Sequence, residues 1–114
     1  MERIIYDLSK TCYKAGRKDE AYGYLLGLII DSQRNEALAT KDLKAYLVQE
    51  KEDLKQFKAD LDKAMKTIKT DKKSHSCTLV FRNKAVFFYP LMEQSAATYQ
   101  QQIKKTDFYW FLNQ

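Results

Sequence analysis

The stretch from Thr40 to Ile68 constrains this chain more than any other. It contains neither Gly nor Pro, and its large apolar residues fall at Leu43, Leu47, Leu54, Phe57, Leu61, Met65 and Ile68. Steps of three, four and seven keep those positions on one stripe of a helix. Most other positions are Lys, Glu, Asp or Gln. The spacing predicts one continuous helix over about residues 40–70; at ~1.5 Å per residue, the stretch from Thr40 to Ile68 alone would be roughly 43 Å long. A compact domain of this size has a radius of gyration of only ~13–14 Å. The expectation is therefore a rod that spans the molecule or projects beyond it, with shorter elements covering its apolar edge.

Leu47, Leu54, Leu61 and Ile68 share one heptad position; Leu43, Glu50, Phe57 and Ala64 share the other. Glu50 and Ala64 make the second row a poor seam. Packing against the chain's own helices is preferred over a coiled-coil dimer, and both monomer and homodimer stay open.

The 114 residues suit a single domain, residues 1–114, able to bury about two-thirds of the surface its unfolded chain exposes. Three Gly and one Pro are too few for a turn-rich sandwich or a Gly-rich nucleotide fold. Cys12 and Cys77 form no CxxC pair. They read as reduced thiols of a cytoplasmic protein, with a single disulfide between the first helix and the hairpin as the alternative. The acidic start Met1-Glu2-Arg3-Ile4-Ile5-Tyr6-Asp7 does not match a signal peptide. The most apolar run, Ala21 to Ile30, is half the ~20 residues a membrane span needs.

A first helix is expected over about Glu2 to Ala15, with Ile4, Ile5, Leu8, Cys12 and Ala15 on one side and Gly16 as a left-handed stop. Asp19 is the expected N-cap of a second helix ending near Gln33. Apolar residues cover almost its whole circumference, which marks it as central. Gly23 and Gly27 make a GxxxG spacing that would let a neighbouring helix approach closely. Gly16-Arg17-Lys18-Asp19-Glu20-Ala21, followed by Tyr24, resembles the turn of a tetratricopeptide repeat. In that family a Gly closes one helix and a Glu-Ala pair opens the next. No second copy follows at a 34-residue period, so the resemblance implies a tight helical hairpin and not a repeat array.

Between Asp31 and Ala39, Ser32, Asn35 and Thr40 are possible caps, with Thr40 chosen to open the long helix. Lys72 to Ser76 reads as a loop. Cys77–Arg82 and Ala85–Tyr89 then form β-rich runs around a turn at Asn83-Lys84. Pro90 ends the second strand, and Met92, Ala96, Tyr99 and Ile103 follow helical spacing to about Lys105, where Asp107 caps or breaks the helix. The fold class expected is α+β, mainly α: a helical bundle around one long helix, with a β-hairpin at about 77–89 and a C-terminal helix.

No motif for chemistry stands out. One His and two distant Cys do not make a zinc site, and no Gly-rich phosphate loop is present, so no metal or cofactor is expected. His75 and Cys77 could pair as nucleophile and base only with a third orienting group, and none is evident. Glu52-Asp53 and Asp60/Asp62 sit among lysines and read as a solvated, paired face.

Two features carry functional expectations. Lys66, Lys69 and Lys73 would share one face of the long helix and could contact phosphates; the competing reading is a solvated helix end. The terminal run Phe108-Tyr109-Trp110-Phe111-Leu112 either completes the core or anchors a partner. The favoured function is a non-enzymatic binding protein of inhibitor, adaptor or immunity type, acting on a protein partner through Phe108, Tyr109, Trp110 and Phe111. The alternatives are a basic nucleic-acid-associated regulator, and a small-molecule binder or small enzyme.

Overall fold

The computed structural model describes residues 2–31, 34–90 and 94–113. They form α1 (Glu2–Lys14), α2 (Lys18–Asp31), α3 (Glu36–Gln49), α4 (Leu54–Lys66), β1 (Lys69–Asp71), β2 (Ser76–Phe81), β3 (Lys84–Phe88), α5 (Ala96–Lys104) and α6 (Asp107–Leu112). The fold is α+β and mainly α. Ser32, Gln33 and Met92, named above as a possible cap, a helix end and a helix position, lie outside the described residues.

The long helix is not continuous. It is two helices, α3 and α4, separated by Glu50-Lys51-Glu52-Asp53. α3 also starts earlier than expected, at Glu36 behind Asn35, so Thr40 lies buried inside it. The break has a local cause. Lys51 takes a left-handed conformation at φ 54°. Its N–H donates to the Val48 carbonyl at 3.2 Å, and the Glu52 N–H donates to the Leu47 carbonyl at 3.0 Å. That is the Schellman arrangement, which satisfies the last carbonyls of a helix. Gly16, at φ 83°, closes α1 with the same pair of bonds, Arg17 N–H to Cys12 and Gly16 N–H to Tyr13. Asp53 then caps α4, its carboxylate accepting from the N–H groups of Lys55 and Gln56 at 3.0 and 3.3 Å.

Size gives the global reason. The molecule measures 38 × 28 × 27 Å, shorter than the rod of roughly 43 Å anticipated from ~1.5 Å per residue. Folding back at residues 50–53 lets both halves of the stripe be covered. Leu43, Leu47, Phe57, Leu61, Met65 and Ile68 are all buried.

The centre of the fold is α2, buried on nearly every side from Ala21 to Ile30. It packs on α1, α3, β2, β3 and α5. The helix begins at Lys18, one residue before the expected cap Asp19. Gly23 and Gly27 do permit close approach, but to strand β3 rather than to a helix: Cβ atoms there would meet Val86 at 3.0 Å and Phe88 at 3.2 Å. On α1 the buried residues are Ile5, Tyr6, Ser9 and Cys12, while Ile4 and Leu8, and Ala15 just past the helix end, face solvent. Ser9 is tolerated inside because its hydroxyl donates to the Tyr6 carbonyl at 2.6 Å.

The sheet has the order β1-β2-β3, antiparallel throughout. The expected hairpin is present, but its turn is centred on Arg82-Asn83, at φ 50° and 69°. Positive φ at both central residues is what a type I′ turn requires. The unexpected strand β1 pairs Lys69, Thr70 and Asp71 with Thr78, Cys77 and Ser76. Cys77, Leu79, Phe81, Val86 and Phe88 face the helices and are buried. α5 starts at Ala96 behind the N-cap Ser95, and the aromatic tail forms α6, capped by Thr106.

Candidate functional site

Three tight turns meet at one end of the molecule: α1–α2 at Gly16, α3–α4 at Lys51 and β2–β3 at Arg82. Charged side chains tie them together. Arg82 donates from Nε to Asp60 at 2.7 Å and from Nη1 to Glu52 at 2.8 Å, with Asp19 at 3.5 Å. Its guanidinium lies 5.3 Å from the Phe57 ring centroid and 5.2 Å from that of Phe81. Burial works against the Arg82 charge, yet Glu52 and Asp60 outweigh it and hold the group protonated.

Glu50 bonds Lys18 and accepts from the Tyr13 hydroxyl at 2.8 Å. Lys18 and Tyr13 together lower the Glu50 pKa. Burial and then Glu50 push the Tyr13 phenol up to about 12. Between the turns lies a cleft of about 550 Å³, lined by Lys18, Asp19, Tyr22, Glu50, Glu52 and Lys84 among others. The Tyr22 hydroxyl is buried and has no hydrogen-bond partner among the described residues. Burial, then Glu52 and Glu50, raise its pKa, so it stays a neutral phenol. The carboxylates here are mostly engaged by Arg82 and Lys18. The arrangement is a charged clasp that fixes three turns.

A second surface is the outer face of the sheet. Thr78, Val80, Ala85 and Phe87 alternate with the core residues of β2 and β3, and Tyr89 follows. Val80, Phe87 and Tyr89 are 36%, 57% and 45% exposed. Cross-strand register sets Thr78 opposite Phe87 and Val80 opposite Ala85, which makes the apolar side chains contiguous.

The tail residues named from sequence divide by depth. Phe108 is fully buried, edge-on to Phe57 with centroids 5.9 Å apart. Tyr109 is half-buried and donates to Asp62 at 3.2 Å, with the Lys58 ammonium 5.4 Å from its ring. Phe111 is half-buried under Lys44 at 5.1 Å. Trp110 is 68% exposed.

Lys66, Lys69 and Lys73 are all exposed, but they do not share a helical face. α4 ends at Lys66, Lys69 opens β1, and Lys73 lies in the β1–β2 turn, its N–H bonded to Asp71 at 2.9 Å. His75 is exposed in that turn at φ 53°. Cys77 is buried, its sulfur 3.7 Å from the hydroxyls of Tyr99 and Thr70. The two do not form one site. Cys12 and Cys77 are both buried free thiols.

Sequence reading missed Arg82 altogether. Its partners lie 22, 30 and 63 residues away, and no local pattern relates them. The outer sheet face was legible in the alternation of Thr78, Val80, Ala85 and Phe87, though not which side the helices would cover.

Among the described residues, no group of three or more His, Cys, Asp or Glu is placed to hold a metal ion. Among them, too, no helix is long and apolar enough to cross a membrane. No protein-family model matches the chain, and no curated protein or solved structure matches it.

Proposed function

We propose that this chain is a non-enzymatic binding protein that occupies the surface of a protein partner, as inhibitors, adaptors and immunity-type proteins do. The observation that carries this reading is the outer face of the sheet, with Val80, Phe87 and Tyr89 turned to solvent. Contiguous exposed apolar side chains rimmed by polar groups mark interaction surfaces, and aromatic residues dominate their energetics. β3 is an edge strand. An extended segment of the partner can add to that edge through backbone hydrogen bonds while Phe87 contacts its side chains. Trp110 is the tail residue exposed enough to serve as a further anchor. Two buried thiols left unpaired support a cytoplasmic setting.

The test is a Phe87→Asp chain compared with wild type in cross-linking from the native host. The variant should melt within about 3 °C of wild type, since an exposed substitution changes stability little. It should lose a partner that wild type captures. Capture unchanged by F87D and by Trp110→Ala would remove the reading.

A second reading, a nucleic-acid-associated regulator, draws on the exposure of Lys66, Lys69 and Lys73 around the α4–β1–β2 connection. Binding to DNA or RNA that weakens steeply with salt favours it, and no mobility shift at low salt removes it.

A further inference from the structure

From the mismatch between the helical pattern and the bent spine, we infer that the α3–α4 hinge can straighten, and that two copies of this chain then exchange their N-terminal halves. The apolar stripe stays in phase across the bend, and Glu50, Lys51 and Glu52 are all acceptable in a helix interior. The bend depends on a lysine in the left-handed region, φ 54°, which residues other than Gly, Asn and Asp rarely visit. It is held from outside by the Arg82–Glu52 contact at 2.8 Å and from inside by the Asp53 cap.

Straightened, a helix from Glu36 to Lys66 would be about 46 Å long at ~1.5 Å per residue. The molecule is 38 Å in its longest dimension. α2 is packed on α1 and α3 and moves with them, so one chain cannot swing α3 into line with α4 and keep α2 against its own sheet. A second copy supplies the missing surface. α1–α3 of one chain dock on α4, the sheet, α5 and α6 of the other. Gly23 again meets Val86, Gly27 meets Phe88, and Tyr22 meets Phe57 and Phe81. Every contact but those at the hinge reforms, which makes exchange a low-cost route to a closed dimer. Val48, 70% exposed one turn before the bend, is an apolar side chain that the monomer leaves in water.

Two substitutions move the equilibrium in opposite directions. Glu52→Ala removes the contact specific to the bend and favours helix. Lys51→Gly relieves the left-handed residue and disfavours a continuous helix. Wild type, E52A and K51G are refolded from urea over a range of protein concentrations and read by size-exclusion chromatography with light scattering. At equal concentration E52A should raise the dimer fraction about fivefold over wild type, and K51G should lower it about threefold. The isolated dimer should persist for hours after dilution, because α2 must leave the sheet before chains separate. The proposal is overturned if wild type and E52A are both wholly monomeric, if the dimer fraction ignores both substitutions, or if the dimer disperses within minutes. Should E52A fail to fold, Asp53→Ala, which removes the α4 cap, carries the same expectation.

Discussion

Gly27 on α2 lies so close to Phe88 on β3 that a Cβ added to the glycine would stand 3.2 Å from the phenylalanine Cβ. That atom is fixed to the strand backbone and cannot swing away. Gly→Ala in a helix interior ordinarily stabilises by ~0.5–1 kcal/mol. At Gly27 overpacking costs about 1–3 kcal/mol and outweighs that gain. Gly27→Ala should therefore lower stability by about 1 kcal/mol in urea denaturation. Gly23→Ala should be destabilising as well, because its Cβ would stand 3.0 and 3.2 Å from the two methyl groups of Val86, a buried β-branched side chain with little freedom to turn.

The two left-handed helix stops should respond in opposite senses. Gly16→Ala meets no atom within 4 Å, so any effect is conformational. Placing Cβ in the left-handed region costs roughly 1–2 kcal/mol, and G16A should lose about 1 kcal/mol. Lys51→Gly removes that strain while adding freedom to the unfolded chain, for a net gain of about 0.5 kcal/mol. Equilibrium urea titrations of both variants read the difference.

Acid should weaken the clasp through Glu50. Its ordinary pKa is 4.5, and Lys18 and Tyr13 lower it in the folded protein. The unfolded state then binds the proton more readily. This contribution to stability is fully present above pH 4.5 and is lost as pH falls through the lowered folded value. Glu50→Gln should flatten that part of a stability-versus-pH curve. Tyr13 works at the other extreme: raised from 10 to about 12, its contribution is present below pH 10 and fades towards pH 12. An ultraviolet phenolate titration of E50Q should show one tyrosine ionising earlier than in wild type.

The aromatic tail offers a contrast in depth. Phe108 is wholly buried against Phe57, so Phe108→Ala should cost about 3–5 kcal/mol. Trp110 is 68% exposed, and Trp110→Ala should change stability by no more than about 0.5 kcal/mol. Thermal melts of the two variants would expose any error in that placement. Equal losses would mean that Trp110 is covered.

Parts of the fold could be read from local chemistry. Gly16 signals the end of α1, and the all-round apolar surface of α2 marks it as central. The β-branched and aromatic runs Cys77–Arg82 and Ala85–Tyr89 announce the hairpin, with a turn expected at Asn83-Lys84 that falls one residue earlier in the structure. The break at residues 50–53 could not be read in this way. Leu47 and Leu54 are seven apart and both face inward, so the periodicity passes through the bend undisturbed. The left-handed stop is filled by Lys51, where a Gly would have given it away. β1 is equally silent, because Lys69-Thr70-Asp71 has no apolar alternation. It is a strand because β2 presents an open edge beside it.

The sequence alone determined that α1, α2 and α5 are helical, that residues 40–68 have helical periodicity, that β2 and β3 form a hairpin, and which face of most of these seeks cover, because those properties rest on spacing and residue type within a few positions. Tertiary structure decided where the spine folds back and which residues gather at the clasp. It also decided which side of the sheet stays wet. Those outcomes turn on partners tens of residues apart, Arg82 with Asp19, Glu52 and Asp60 above all. A rod longer than the body it must fit inside adds the same kind of constraint, and it too is met only once the whole chain is in place.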